Sequence, residues 1–279
     1  MKLYNTTAGV IIEHNGNHFK ADSAWDELVN RDHLEAYLLE SLEGLPIADA
    51  DWANEAKILA PIESQEVWAA GVTWLRSRDA RMEESETAAS LYDLVYNADR
   101  PELFFKATKQ RVSGHEGELY IRKDSTWNVP EPELTLFVSS SGKIQGYTIG
   151  NDMSSRSIEG ENALYLPQAK VWEKCAGLGP CLYVTTEISG DTRISMSIKR
   201  SDEVIYNESV TVSRMKRSFT DLVGYLFREC EFPKGCFLMT GTCLVPENDF
   251  TLAEGDVVEI NIDGPGTLIN TIGFNPKHR

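Results

Sequence analysis

Apolar and polar positions alternate over much of this chain, and only a few stretches carry helical spacing. Gly9 to Phe19 alternates loosely around Asn15-Gly16, a dipeptide that favours a tight hairpin turn. Trp25, Leu28, Val29, Leu34, Tyr37 and Leu38 recur at helical intervals and predict a helix from about Ser23 to Leu42. Pro46 and Pro61 bracket a linker. From Val67 onward the pattern is mostly that of strands, at Val67–Val72, Leu103–Phe105, Leu119–Arg122, Leu134–Val138, Ile144–Ile149, Pro180–Val184 and Ile194–Ile198. A helix is predicted over Phe219–Cys230, capped by Ser218. Three closing strands follow at Cys236–Thr240, Asp256–Ile262 and Thr267–Thr271. Ser77 to Tyr96 is polar and helix-favouring with little apolar face, which suits a surface helix or a lid. Strands are too many and helices too few for a doubly wound sheet, so the class is mixed β with a few helices. The expected division is a small N-terminal α+β segment, residues 1–63, followed by a larger β region, residues 64–279.

The 279 residues are enough for one or two domains with a sizeable core. A net charge of −16, spread along the chain, repels phosphate backbones and argues against a nucleic-acid partner. No stretch approaches the ~20 apolar residues that span a bilayer, and the first residues lack the pattern of an export signal. A cytoplasmic protein without a membrane partner is expected. The five cysteines, Cys175, Cys181, Cys230, Cys236 and Cys243, form no C-x-x-C pair. They fit reduced core thiols better than zinc ligands.

Candidate chemistry centres on Pro130-Glu131-Pro132-Glu133-Leu134 and the later Gly150-Asn151-Asp152. Glu131 and Glu133, two apart in an extended chain, project from one face. A hairpin turning between Ser141 and Gly142 would set Glu131 opposite Asp152, and Glu133 opposite Gly150, a glycine that leaves room. Three converging carboxylates repel unless a cation joins them. An all-oxygen ligand set favours Mg²⁺, Mn²⁺ or Ca²⁺ over zinc. A one-residue slip would turn the faces apart, and a solvated acidic strand edge is the other reading of the same spacing.

Further along stand Asn151-Asp152-Met153-Ser154-Ser155-Arg156, Lys170 ten residues before Pro180, Gly177-Leu178-Gly179-Pro180, Thr240-Gly241-Thr242, Glu254-Gly255-Asp256-Val257-Val258-Glu259 and Gly264-Pro265-Gly266-Thr267-Leu268-Ile269-Asn270. In this order, from about Val67 to Ile272, the chain resembles the fumarylacetoacetate hydrolase family, with its E-x-E, N-D-x-S-x-R, K-S-F-D before L-G-P, T-G-T-P and L-x-x-G-D-x-V-E motifs. The resemblance implies a β-roll core carrying a small N-terminal α+β addition. It also implies a Mg²⁺-type site on Glu131, Glu133 and Asp152, with Lys170, Arg156 and Thr242 nearby, and a homodimer or larger homo-oligomer.

The departures from the family pattern carry information. The family's lid commonly supplies a histidine that, with a glutamate, activates water for hydrolysis. Here Gly71-Val72-Thr73-Trp74-Leu75-Arg76 leads into a segment with no histidine. Glu102 precedes Leu103-Phe104-Phe105-Lys106, where the family has an apolar residue, and Glu159 replaces a glutamine. These features are similar to the family's sugar-acid branch, the 2-keto-3-deoxy-D-arabinonate dehydratases. That likeness implies a lyase that eliminates water from 2-dehydro-3-deoxy-D-arabinonate or a similar pentonate to give 2,5-dioxopentanoate. Lys170 and Glu102 are the expected catalytic groups, with Glu84 on the lid a weaker acid or base. Arg156, Thr242 and Lys106 are expected to hold the 2-keto acid, and Glu159 to orient Arg156 or Lys170. His115 suits a solvent-facing turn better than catalysis. The alternatives are a C–C hydrolase or decarboxylase acting on an acylpyruvate or diketo acid, and a non-catalytic, metal-stabilised β protein, which would have no use for Lys170.

Overall fold

A computed structural model describes residues 1–48, 52–74, 89–242 and 244–278. The strands are β1 (Lys2–Thr6), β2 (Gly9–His14), β3 (Asn17–Ala21), β4 (Glu66–Gly71), β5 (Glu102–Thr108), β6 (Val112–Ser113), β7 (Gly117–Ile121), β8 (Asn128–Val129), β9 (Pro132–Val138), β10 (Ile144–Asp152), β11 (Ser154–Ser155), β12 (Ala176–Tyr183), β13 (Arg193–Arg200), β14 (Glu203–Thr211), β15 (Cys236–Met239), β16 (Val257–Ile262) and β17 (Gly266–Phe274). The α-helices are α1 (Trp25–Val29), α2 (Leu34–Ser41), α3 (Trp52–Glu55), α4 (Ala89–Asn97), α5 (Arg156–Glu161), α6 (Leu166–Lys170) and α7 (Phe219–Leu226).

A ten-stranded sheet runs β3-β2-β1-β12-β10-β9-β15-β4-β5, with β6 added beside β12. A five-stranded sheet runs β14-β13-β16-β17-β7, and β8 pairs with β11. Side-chain alternation assigns each face its partner. Leu134, Leu136 and Val138 of β9 join a core with Ile194, Met196 and Ile198 of β13, Val258 and Ile260 of β16, and Leu222, Val223 and Leu226 of α7. Phe137, from the opposite face of β9, packs in a second core with Val67, Phe237, Leu178, Leu182 and the apolar side of α1 and α2. Both faces of β9 are covered, so the whole strand is buried. β13 instead alternates buried Ile194, Met196 and Ile198 with half-buried Ser195 and Ser197, as expected of a sheet with one wetter face.

The N-terminal strands extend the main sheet. β1 pairs antiparallel with β12, setting Leu3 opposite Leu182, and Leu3 lies in the second core. Among the described residues, the sheet and the second core both include residues from either side of position 63. Most expected strands form within a few residues of their places, while β1, β14 and the short helices α5 and α6 were not anticipated. β14 is exposed on both faces along most of its length, so it lacks the buried alternation that marks a strand in sequence. The helix expected over residues 23–42 is interrupted, because Asn30 and Asp32 are drawn to the β9–β10 turn. Asn30 accepts from the Ser140 amide at 2.8 Å. Asp32 accepts from Ser139 at 3.0 Å and Ser141 at 2.5 Å, and pairs with Lys143 at 2.6 Å. His33 takes a left-handed conformation with φ 56° before α2 starts. The second expected helix ends at Leu226 rather than Cys230. Phe227 there turns to pack on Phe232 with ring centres 4.8 Å apart.

Segment 75–88, and with it Glu84 and most of the expected lid, lies outside the described residues, as does Cys243. Cys175, Cys181 and Cys236 are buried and Cys230 is exposed. Burial raises the Cys175 and Cys236 thiols and pushes Cys181 up to about 12, so all three remain neutral core groups. Among the described residues no helix is long and apolar enough to cross a membrane.

The Asp32 contacts predict a pH effect. Hydrogen bonds from Lys143 and then Ser141 hold its carboxyl down to about 2 from an ordinary 3.8. Its unfolded form therefore binds more protons between those values, and stability rises with pH across them. Asp32→Ala should cost about 1 kcal/mol at neutral pH, as for partly exposed polar contacts. The deficit should be complete above the ordinary carboxyl value and vanish as pH falls towards about 2. Urea denaturation of both forms across that range measures it.

Candidate active site

The site starts with the register of β9 against β10. Gly150 pairs with Glu133 and Asn151 with Pro132, and the Asp152 amide donates to the Glu131 carbonyl at 2.9 Å. This is the register expected from sequence, reached by a different route. The turn is centred on Ser141, with the Ser139 amide donating to the Lys143 carbonyl and Val138 paired with Ile144. That geometry alone would leave the strands one residue out of step. A bulge between Ile144 and Gly146 restores the pairing. The residue in the bulge, Gln145, accepts from the Leu34 amide at the start of α2 at 3.1 Å.

This register brings Glu131, Glu133 and Asp152 together, all buried, with one carboxylate oxygen from each within 4.8 Å of the others. Three cations close around them. Lys170 Nζ lies 2.6 Å from Glu131 Oε2 and 3.0 Å from Asp152 Oδ2, and donates to Ser154 Oγ at 2.5 Å. Arg156 Nη2 donates to Glu131 Oε1 at 2.5 Å. Lys106 Nζ is 2.5 Å from Asp152 Oδ1 and donates to the carbonyls of Met153 and Lys170 at 2.8 and 2.6 Å. Glu159 stands between two of these cations, 3.4 Å from Lys170 and 3.8 Å from Arg156.

Glu133 has a different environment. Its Oε2 accepts from the Gly241 amide at 2.5 Å. Burial, and then repulsion from Asp152 and Glu131, raises its carboxyl well above the usual carboxylate range, against the pull of the Gly241 amide and Lys170. The Gly241 amide is aimed from outside its own turn. Thr73 Oγ1 donates to the Thr240 carbonyl at 2.7 Å and Trp74 Nε1 to the Gly241 carbonyl at 3.0 Å. Gly241 has φ +95°, and a Cβ there would fall 2.0 Å from Thr73 Oγ1, so only glycine fits. Four buried carboxylates, Glu131, Glu133, Asp152 and Glu159, thus face three cations, Lys106, Lys170 and Arg156. Among the described residues the buried anions of this cluster outnumber its cations by one. A hard cation fits these oxygens by number, charge and spacing.

Short elements deliver the remaining side chains. Ser155 caps α5 by accepting from the Ile158 amide at 3.3 Å, which starts the helix carrying Arg156 and Glu159. Pro167 opens α6, whose last residue is Lys170. Glu102 begins β5 and, with Glu159, lines a cavity of about 310 Å³ walled by Val95, Arg100, Pro101, Ala163 and Leu166.

A profile of the fumarylacetoacetate (FAA) hydrolase C-terminal family matches residues 81–273. The chain belongs to the fumarylacetoacetate hydrolase family. Among its curated relatives is a Haloferax volcanii protein described as "Probable 2-keto-3-deoxyxylonate dehydratase", 47% identical over 80% of this chain and 79% of its own. Another is the 2-dehydro-3-deoxy-D-arabinonate dehydratase of Saccharolobus solfataricus, 40% identical over 78% of this chain and 75% of its own. A solved 2-keto-3-deoxy-D-arabinonate dehydratase, complexed with magnesium and 2,5-dioxopentanoate, superposes with a TM-score of 0.84 at 32% identity and covers 99% of both chains.

Within this member of the fumarylacetoacetate hydrolase family, the sequence-derived residues do not all take the places expected. Glu131, Glu133, Asp152, Lys170 and Arg156 converge. Lys106 also reaches the cluster, but its three donors go to protein oxygens and it is fully buried, so its geometry is that of a support for Asp152 rather than a substrate anchor. Arg156 likewise faces Glu131 and Glu159. The Thr242 hydroxyl engages the backbone of Leu244 at 3.3–3.4 Å, one residue beyond the amide that touches Glu133. The room at Gly150 is taken by Thr135 and Met239 rather than by Glu133. His115 accepts at Nδ1 from the Ile269 amide at 3.3 Å. Ser154 was missed, although its place two residues after Asp152 was a legible cue. Thr73, Trp74 and the Gly241 amide had no such local cue.

Replacing Lys106 by Met keeps most of its shape and strands Asp152 and two carbonyls. The variant should lose roughly 3–5 kcal/mol in urea denaturation, as for one half of a buried pair. Lys109→Met, which removes an exposed partner of Glu63, should lose less than about 1 kcal/mol.

Proposed function

We propose that this protein is a divalent-metal-dependent dehydratase that converts 2-dehydro-3-deoxy-D-arabinonate, or a pentonate of the same constitution, to 2,5-dioxopentanoate. The observation that carries the reading is the buried trio Glu131, Glu133 and Asp152, joined through Lys170 to Glu159, which shares a cavity with a second carboxylate, Glu102. The named activities of the two curated relatives and the ligands of the solved dehydratase support it.

Glu131, Glu133 and Asp152 would hold Mg²⁺, or Mn²⁺ or Ca²⁺ in its place, and the ion would supply Lewis acidity towards the carboxylate and 2-keto oxygens of the substrate. Arg156 and Lys106 fix the two outer ligands, Glu131 and Asp152, before substrate arrives, so little reorganisation remains for the chemical step. Lys170 places a fixed positive charge beside them, which favours the anion that develops when a C3 proton is removed. Glu102 is the group proposed to take that proton and to return one to the departing C4 hydroxyl. The C3–H and C4–O bonds break and water leaves behind a C3=C4 double bond; a C5 proton is then lost as C3 regains one, and the resulting C4=C5 enol takes a proton at C4 as its hydroxyl proton leaves, giving the aldehyde. Thr242, beside the Gly241 amide, is the proposed contact for the substrate's oxygens. Glu159 orients Lys170 and Arg156. A homodimer or larger homo-oligomer is carried over from the family resemblance, and a cytoplasmic location from the cysteine usage and the first residues of the sequence.

Incubation with Mg²⁺ and 2-keto-3-deoxy-pentonate should release 2,5-dioxopentanoate, detected as aldehyde. Excess chelator should abolish the rate and added Mg²⁺ restore it. Turnover of an acylpyruvate alone would instead favour the hydrolase alternative, and an undiminished rate in chelator would reject the metal. Glu102→Gln should lower turnover by about 100-fold or more, the usual scale for a lost acid–base group, with Mg²⁺ affinity by calorimetry unchanged. Glu133→Gln should show the reverse balance, with Mg²⁺ binding weakened about tenfold or more while the metal-free protein melts higher, because one of three mutually repelling carboxylates is gone.

A further inference from the structure

We propose that Gly71 is a positioning residue for the reaction, because the missing side chain at this place reserves the seat of the Glu102 carboxylate. The inference rests on the reading of Glu102 as the acid–base group. β4 and β5 run antiparallel, and Gly71 and Glu102 are directly opposed at the end of their ladder. Directly opposed residues present their side chains to the same face of a sheet. Glu102 uses this by folding across the strand gap onto the Gly71 backbone. A Cβ built at Gly71 would stand 1.9 Å from Glu102 Oε2, 2.6 Å from Cδ and 3.3 Å from Cγ. The first two distances are far inside contact, so alanine at 71 and this carboxylate position exclude each other.

The backbone gives no other reason for glycine. Gly71 is absent from the glycines with positive φ, and the left-handed turn comes one residue later, at Val72, with φ 52°. A glycine inside a strand otherwise weakens it and marks a close approach by another group. The approaching group here is the end of a flexible side chain, which can swing to another rotamer without moving the sheet. The carboxylate that would be displaced lines the same cavity as Glu159, which lies 3.4 Å from Lys170. Gly71 therefore sets where the acid–base group stands relative to the charged cluster, although it bears no reacting atom. Its position at the end of β4 also puts it three residues before Trp74, which holds the Gly241 carbonyl. One strand end thus presents Glu102 on one side and braces the turn that touches Glu133 on the other.

The test compares Gly71→Ala, Glu102→Gln and the double variant in the full-length protein with saturating Mg²⁺. Gly71→Ala should lower kcat at least tenfold, leave KM and the calorimetric Mg²⁺ affinity within about twofold of wild type, and melt no lower than wild type. Because it acts through Glu102, it should add less than about twofold to the loss already caused by Glu102→Gln. A kcat for Gly71→Ala within twofold of wild type, or full additivity in the double variant, while Glu102→Gln is impaired, would overturn this inference and leave the acid–base reading standing. Wild-type turnover in Glu102→Gln would overturn both.

Discussion

Burying four carboxylates in one place is the constraint on which the rest of the site depends. Like charges out of water repel strongly, and each also loses hydration. The fold answers with Lys106, Lys170 and Arg156, all at most 2% exposed and each within 2.6 Å of a carboxylate oxygen. Among the described residues three cations face these four anions, and burial, followed by repulsion from Asp152 and Glu131, raises the Glu133 carboxyl above the usual carboxylate range. Glu133 is also the trio member braced by a backbone amide, that of Gly241, at 2.5 Å. The three clustered oxygens could hold a metal ion, and the divalent cation of the proposed function would add positive charge beside Glu133.

The layered sheets make that arrangement possible. β9 and β10 lie in the middle of the ten-stranded sheet with both faces covered, so the carboxylates at their ends are anchored in strands that cannot shift without exposing two cores. A slip of one residue would move every side chain to the other face, and the bulge at Gln145 is what prevents it. The side chain of the same residue caps α2, which ties the register to the N-terminal layer. Asp32 and Asn30 add further ties from that layer to the neighbouring turn. The N-terminal segment, whose sequence reads as a separate addition, thus helps keep β9 and β10 in register.

In the proposed function, Glu102 is the group that would distinguish this site from one built only to hold a cation. It sits at a strand end, in a cavity shared with Glu159, and its carboxylate lies where an ordinary side chain at residue 71 would be. A carboxylate so placed would offer proton transfer beside a cluster that, with the proposed cation bound, would stabilise negative charge, the combination that elimination next to a keto group requires. No histidine lies between residues 77 and 96, where the family resemblance implies that a hydrolase would carry one.

What the sequence determined by itself follows from the period of the extended backbone. Spacing of two put Glu131 and Glu133 on one face, and pairing across a hairpin put Asp152 with them. Alternation marked most strands of both sheets, β1 and β14 excepted, and the ordered motifs marked the family. Local pattern was insufficient wherever a side chain answers a distant partner. The polar residues that break the first helix serve a turn more than 100 positions away. Lys106 looked like a substrate anchor until its three donors met protein oxygens from residues 152, 153 and 170. The Gly241 amide, the Thr73 and Trp74 braces, and the seat at Gly71 depend on which strands become neighbours. Backbone periodicity decides where a side chain points, but burial of sheet faces and long-range ladder pairing decide what it meets there, and only the tertiary structure contains that.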